Sequence, residues 1–123
     1  MGLLRLPGGI VMKKIEMIVR PEKLEELKQV ISDLGIKGLT VSMVMGAGNQ
    51  KGKLEIYRGT ELTINLLHKV KVEVIVSDDF VETIVKKVRE ALVTGKVGDG
   101  KIFIYAVENA IRIRTGEEGN SAL

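Results

Sequence analysis

Lys14-Ile15-Glu16-Met17-Ile18-Val19 and, 57 residues later, Lys71-Val72-Glu73-Val74-Ile75-Val76 are near-copies of each other, and their reading decides the fold. Each alternates apolar and polar positions with many β-branched residues, the signature of a strand with one buried face. The register of the copy continues outward: Leu24 matches Val81, Leu27 matches Ile84, Ile31 matches Val88, and Gly38 matches Gly95. A self-match at fixed offset marks one supersecondary unit used twice.

In the first unit Pro21 suits the opening turn of a helix, where its missing N–H costs nothing. Leu24, Leu27, Val30, Ile31 and Leu34 follow at helical spacing, and Gly35 offers a C-terminal cap. In the second unit Ser77, Asp78 and Asp79 supply N-cap chemistry. There the stripe runs Phe80, Val81, Ile84, Val85, Val88, Ala91 and Leu92, ended by Gly95. A strand follows each helix, Leu39 to Met45 and Lys101 to Val107, and a short last strand is expected over Ala110 to Thr115. The order β-α-β-β-α-β with right-handed crossovers places both helices on one face of a four-stranded antiparallel sheet. This is an α+β, ferredoxin-like sandwich. The other sheet face carries Ile18, Val44 and Ile75 with no helix to cover them, an argument for oligomerisation.

At 123 residues the chain is one domain, expected over 12–123, with residues 1–11 as a disordered extension and Met12-Lys13-Lys14 as an alternative start. The 45% hydrophobic content excludes wholesale disorder, and no apolar run reaches the roughly 18 residues of a membrane span. Zero cysteines exclude disulfides, thiolate catalysis and Cys-based zinc sites. One histidine, His68, leaves no Ser-His-Asp triad, and with no acidic partner beside it in sequence it reads as a loop-end residue. Glu55, Glu61 and Glu73 read as solvated carboxylates rather than metal ligands. The chain is poorly equipped for catalysis, but fourteen glycines are unusual.

Gly46 to His68 inserts 23 residues where a hairpin needs a few, and so long an insert in a compact domain is functional or disordered. Its retained Leu54, Ile56, Tyr57, Leu62, Ile64, Leu66 and Leu67 favour a loop that orders against a partner; a hairpin packing on its own subunit is the other reading. Three elements point to an anion site. Gly46 to Gly52 with Lys51 offers bare backbone amides, and Gly98-Asp99-Gly100-Lys101 allows close approach beside a point charge. Arg112 and Arg114, two apart on the expected last strand, would share a face. The absence of GxxxxGK[ST] excludes a P-loop. The same topology serves RNA recognition, and Phe103 and Tyr105 lie two apart as stacking aromatics would, but the first strand offers no aromatic partner.

At four separated blocks the sequence resembles the PII nitrogen-regulatory signal-transduction proteins, over Met12 to Leu123. These are Thr94-Gly95-Lys96-Val97-Gly98-Asp99-Gly100-Lys101-Ile102-Phe103-Ile104, Ile111 to Glu118, Gly46 to Gly52, and Tyr57-Arg58-Gly59. The resemblance implies a cytoplasmic, non-enzymatic homotrimer with nucleotide sites between subunits, where ATP and ADP compete and 2-oxoglutarate joins Mg²⁺ and ATP. It implies an adenine pocket of Ile18, Thr40 and Ile75, with phosphates meeting Gly48, Gly98, Gly100, Lys101, Arg112 and Arg114. Gly38, Asn49, Lys51 and Asp99 complete the implied site; Gln50 would ligate magnesium and Lys69 would pair with 2-oxoglutarate. The insert, about 46–68, corresponds to the family's T-loop, with Tyr57 and Arg58 as partner contacts. The implied partners are an ammonium transporter, through which the chain reaches the membrane, or nitrogen-metabolism enzymes such as nitrogenase, and not nucleic acid.

The departures are specific. The family's nucleotidylated tyrosine is here Leu62, so that modification is chemically impossible. Thr60 stands where some members carry a phosphorylated serine, and Asn49 replaces a frequent arginine, which removes one contact to a terminal phosphate.

Overall fold

The computed structural model describes residues 11–48, 55–57, 60–62 and 65–123. The chain runs β1 (Met12–Val19), a 3₁₀ turn (Pro21–Lys23), α1 (Leu24–Asp33), β2 (Thr40–Gly48), β3 (Glu55–Tyr57), β4 (Thr60–Leu62) and β5 (Asn65–Ser77). A 3₁₀ turn (Asp78–Phe80), α2 (Val81–Leu92), β6 (Lys101–Val107) and a last 3₁₀ turn (Gly119–Ala122) follow. The main sheet has the order β2-β5-β1-β6, antiparallel throughout, as the ferredoxin-like reading requires. The two near-copies are its central strands, with Ile15 opposite Val74 and Met17 opposite Val72.

Period-two alternation turns Ile15, Met17, Val19, Val70, Val72, Val74 and Val76 onto one face, where Leu27 and Ile31 of α1 and Ile84, Val88 and Leu92 of α2 seal them. Burying a large aliphatic side chain such as Leu27 or Ile84 stabilises by roughly 1.5–3 kcal/mol. Arg20 is extended (φ −66°, ψ 146°) because Pro21 excludes the helical region for its predecessor, so β1 stops there. At the other end of α1, Gly35 (φ +79°) donates to the Ser32 carbonyl while Ile36 donates to that of Ile31, and Ile36 packs on the core. This double closure is the cap expected of a glycine there.

Several expectations need correction. β2 runs on to Gly48 and β5 begins at Asn65, because Gly46 and Ala47 find ladder partners in Leu67 and Leu66. The insert's base is therefore a two-stranded ribbon, and the insert itself carries the short pair β3–β4. No last strand forms. Arg112 donates its amide to Glu117 and accepts from Gly116 (φ +75°), and this tight turn leaves only an isolated bridge between Ile111 and Glu118. Ser77 caps no amide; its hydroxyl donates to the Asp79 carboxylate instead. α2 ends at Leu92 and not at Gly95, since Val93 is already extended. Val11 is tied in, its carbonyl accepting from the Asp78 amide.

The uncovered face also differs from a simple apolar patch. Ile18, Val44 and Ile75 share it, as expected, but they are half-buried within a charged lattice. Lys14 bridges Glu73 (3.4 Å) and Glu16 (3.9 Å), and Lys71 bridges Glu73 (3.9 Å). Exposed apolar side chains also lie on the helical side of the edge strand, at Val41, Met43 (71% exposed) and Met45. The helices cover β1 and β5 and stop short of β2.

Candidate functional site

The loop between α2 and β6 is built around Asp99. Its carboxylate accepts from the Thr94 amide (2.9 Å), the Gly95 amide (3.0 Å) and the Thr94 hydroxyl, while the Lys96 amide donates to that hydroxyl (3.2 Å). Arg20 reaches across from the end of β1, donating to the Val97 carbonyl (2.6 Å) and pairing with Asp99 (3.7 Å). These bonds engage the amides of residues 94 to 96. A backbone turn closes over Val97 and Gly98, and among the described residues the amides of Val97, Gly98 and Gly100 stay outside the intramolecular network. Successive free amides in a glycine turn form an anion-binding concavity, and the exposed Lys101 follows directly.

The Asp99 carboxylate thus acts within the fold, as the staple that shapes the loop. The Thr94 hydroxyl, then the Thr94 amide, and behind them the Gly95 amide and the Arg20 charge, hold its carboxyl below the ordinary 3.8 against partial desolvation. A depressed folded-state value stabilises the protein above the unfolded pKa, and that contribution is lost as pH falls through the folded value. Asp99→Asn is thus expected to lower the urea midpoint at neutral pH. The gap between variant and wild type should narrow only below about pH 4; a gap constant down to pH 2 would contradict this account.

Next to the loop, Ile18 lies opposite both Lys101 and Lys71 on the open sheet face. Lys69 is half-buried across from Val44 on the same face, and the ribbon continues past it to Gly48. Gly98, Gly100, Lys101, Ile18, Lys69 and Gly48 thus line one end of the sheet. A cavity of about 360 Å³ adjoins the loop, walled by Val19, Val88, Leu92, Gly100 and Ile102.

The remaining candidates lie elsewhere. Thr40 sits opposite Glu73, and Ile75 opposite Lys14, further toward the other end of the sheet. Arg112 and Arg114 follow the far end of β6, which is about 20 Å long over the six steps from Lys101 to Val107. The two arginines occupy a turn and share no strand face: Arg112 is half-buried, donating to Leu123 (3.2 Å), and Arg114 is exposed. Gly38 is exposed in the connection between α1 and β2, with open space around it. Asn49, Gln50, Lys51 and Arg58 lie outside the described residues; Tyr57 ends β3.

His68 is exposed on β5, across from Met45. Tyr105 and Phe103 share the open face, yet Tyr105 is engaged by its own strand neighbour: its hydroxyl donates to Glu16 (3.3 Å) and Lys14 stands 4.3 Å over its ring. A carboxylate beside the aromatics is unfavourable for a nucleic-acid stacking platform. No helix among the described residues is long and apolar enough to cross a membrane.

Arg20 is the residue that sequence reading missed. Its contact spans 77 positions, and only its place before Pro21, ending a strand, hints at a special role.

Comparison with known proteins agrees with this geometry. Residues 12–117 match the family model described as nitrogen regulatory protein P-II. The chain is 49% identical over 112 residues to the nitrogen regulatory protein P-II of Rhodospirillum rubrum, and 51% over 112 residues to that of Haemophilus influenzae; each match covers 91% of this chain and all of the relative. Among solved structures, B. subtilis GlnK in its ATP complex superposes with a TM-score of 0.76 at 42% identity, covering 92% of this chain and 96% of that one. Arabidopsis thaliana PII bound to citrate gives 0.75 at 36% identity, covering 92% of both chains. The glycine loop, the duplicated β-α-β unit and this agreement along the chain lead to one conclusion: the protein belongs to the P-II family of nitrogen-regulatory signal transducers, which are regulators and not enzymes.

Proposed function

We propose that this chain is a cytoplasmic homotrimer that binds ATP or ADP, with 2-oxoglutarate, in clefts between subunits and signals through the T-loop. The observation that carries the reading is the separation of its cationic groups. Lys101 and the free amides of Val97, Gly98 and Gly100 stand at one end of β6, and Arg112 and Arg114 come after the other in the chain. Two protomers meeting head to tail would bring both sets onto a single triphosphate. Suitable surfaces exist: exposed Val41, Met43 and Met45 along the β2 edge, and an apolar groove of Val85, Val93 and Ile104 beside the β6 edge. Different patches on opposite edges make a heterologous contact, the kind that gives a ring when its rotation closes.

In this arrangement one protomer supplies Ile18, Gly48, Lys69, Gly98, Gly100 and Lys101. Its neighbour supplies Thr40, Ile75, Arg112 and Arg114. Gln50 would hold Mg²⁺, a hard cation that takes oxygen donors, and Lys69 would meet a carboxylate of 2-oxoglutarate. The T-loop then reports the ligand state to an ammonium transporter, at the inner face of the membrane, or to a nitrogen-assimilation enzyme. Moving the loop from 1:99 to 99:1 takes roughly 5.5 kcal/mol of differential binding.

Calorimetry tests the reading. 2-Oxoglutarate is expected to bind only with MgATP present, and Gln50→Ala to abolish that binding; retention in either case would sink the mechanism. Pull-downs from membrane and soluble fractions, with ADP or with MgATP plus 2-oxoglutarate, identify which class of target responds.

A further inference from the structure

We infer that Arg20 is a positioning residue for the nucleotide site, a brace that holds the glycine loop in its anion-receiving shape before any ligand arrives. This rests on the nucleotide reading above. The Arg20 side chain is only 26% exposed and serves three parts of the loop at once. One nitrogen donates to the Val97 carbonyl at 2.6 Å, another pairs with Asp99 at 3.7 Å, and the guanidinium lies against the underside of Gly98. A Cβ on Gly98 would stand 2.8 to 3.4 Å from three guanidinium atoms. The φ of +99° is what calls for glycine at Gly98, and a side chain there would displace the guanidinium.

The consequences follow from which groups each partner occupies. Asp99 fastens the start of the loop through the amides of Thr94 and Gly95. Arg20 fastens its middle through the Val97 carbonyl and ties both to the end of β1, one residue beyond the core side chain Val19. With the Val97 carbonyl and the Asp99 carboxylate engaged by Arg20, the amides of Val97, Gly98 and Gly100 are left for a ligand. Arg20 also offsets the Asp99 charge, which would otherwise repel a phosphate a few residues away. Without the brace, binding must order the loop, and that entropy is subtracted from affinity.

The test uses full-length protein in three forms: wild type, Arg20→Gln and Arg20→Lys. ATP affinity is read by calorimetry, and amide exchange of the unliganded protein by NMR. Arg20→Gln is expected to bind ATP about 10-fold more weakly, the loss of a charge-assisted contact. The amides of Thr94 and Gly95 should exchange faster while those of Ile15 and Val72 do not change. Arg20→Lys keeps a charge that reaches Asp99 and should recover part of the affinity. A residue that merely supports the fold would accelerate exchange throughout the sheet and gain nothing from lysine, and that pattern overturns the proposal. Unchanged ATP affinity in Arg20→Gln, with normal binding by wild type, overturns it while leaving the nucleotide reading intact. Failure of the wild type itself to bind ATP overturns both.

Discussion

Gly100→Ala is expected to destabilise the protein by roughly 3–5 kcal/mol and to abolish nucleotide binding, whereas Gly95→Ala, five residues earlier, costs about 1 kcal/mol. The two glycines share a left-handed backbone, φ +110° and φ +82°. They differ in what surrounds them. A Cβ at Gly95 meets nothing within 4 Å. At Gly100 it would run into the backbone carbonyl oxygen of Ile18, with the Ile18 carbonyl carbon 3.1 Å and the Val19 Cα 3.3 Å away. These neighbours are central-strand backbone and cannot swing aside as a side chain would. Relief by moving the loop breaks the first rung of the β1–β6 ladder, Ile18 with Lys101. The pair of variants thus isolates close packing from conformational strain. Urea unfolding supplies the energies and calorimetry the binding; equal costs at both positions would show that strain alone governs the loop.

This result also bears on how glycines in such loops are read. The Gly98-x-Gly100 spacing invites the explanation that a phosphate must come close. In the structure both positions have a prior reason: Gly100 lies against the Ile18 carbonyl, and Gly98 has a φ of +99°. The loop's shape is dictated by contacts within the fold, and the free amides follow from that shape.

Much of the fold was legible because it is encoded locally. The period-two runs of β1 and β5, the helical stripes of α1 and α2, and the cap at Gly35 each depend on residues a few positions apart. Where the sequence misled, distant pairing or a turn decided. Gly46-Ala47-Gly48 reads as a loop by composition, yet Leu66 and Leu67 give it ladder partners, and pairing outweighs weak strand propensity. Ile111-Arg112-Ile113-Arg114 alternates like a strand, but Gly116 turns the chain back and Ile113 is left fully exposed. The site followed the same rule. The residue types suited to an anion were visible in the sequence, whereas the placing of Lys101 beside Ile18 and of Arg112 in a turn beyond β6 needed the fold.

The proposed sharing of the site predicts complementation between two defective chains. On the proposed shared site, Lys101→Ala and Arg112→Ala would each remove one charged phosphate contact, and each variant alone is expected to bind ATP about 10- to 100-fold more weakly than wild type. Co-refolding the two from denaturant in equal amounts should nevertheless restore wild-type sites, because a shared cleft needs Lys101 from one protomer and Arg112 from its neighbour. Random assembly in a ring leaves about one quarter of clefts with both residues intact. A site contained within one protomer would regain none. A second mixture makes the distinction independent of how well the refolding works: wild type combined one to one with the double variant Lys101→Ala/Arg112→Ala. Shared clefts require two wild-type neighbours and again give about one quarter of full capacity, while self-contained sites give about one half. Counting tight ATP sites by calorimetry in both mixtures therefore measures whether the cleft is shared, and a result of none and one half would return the site to a single chain.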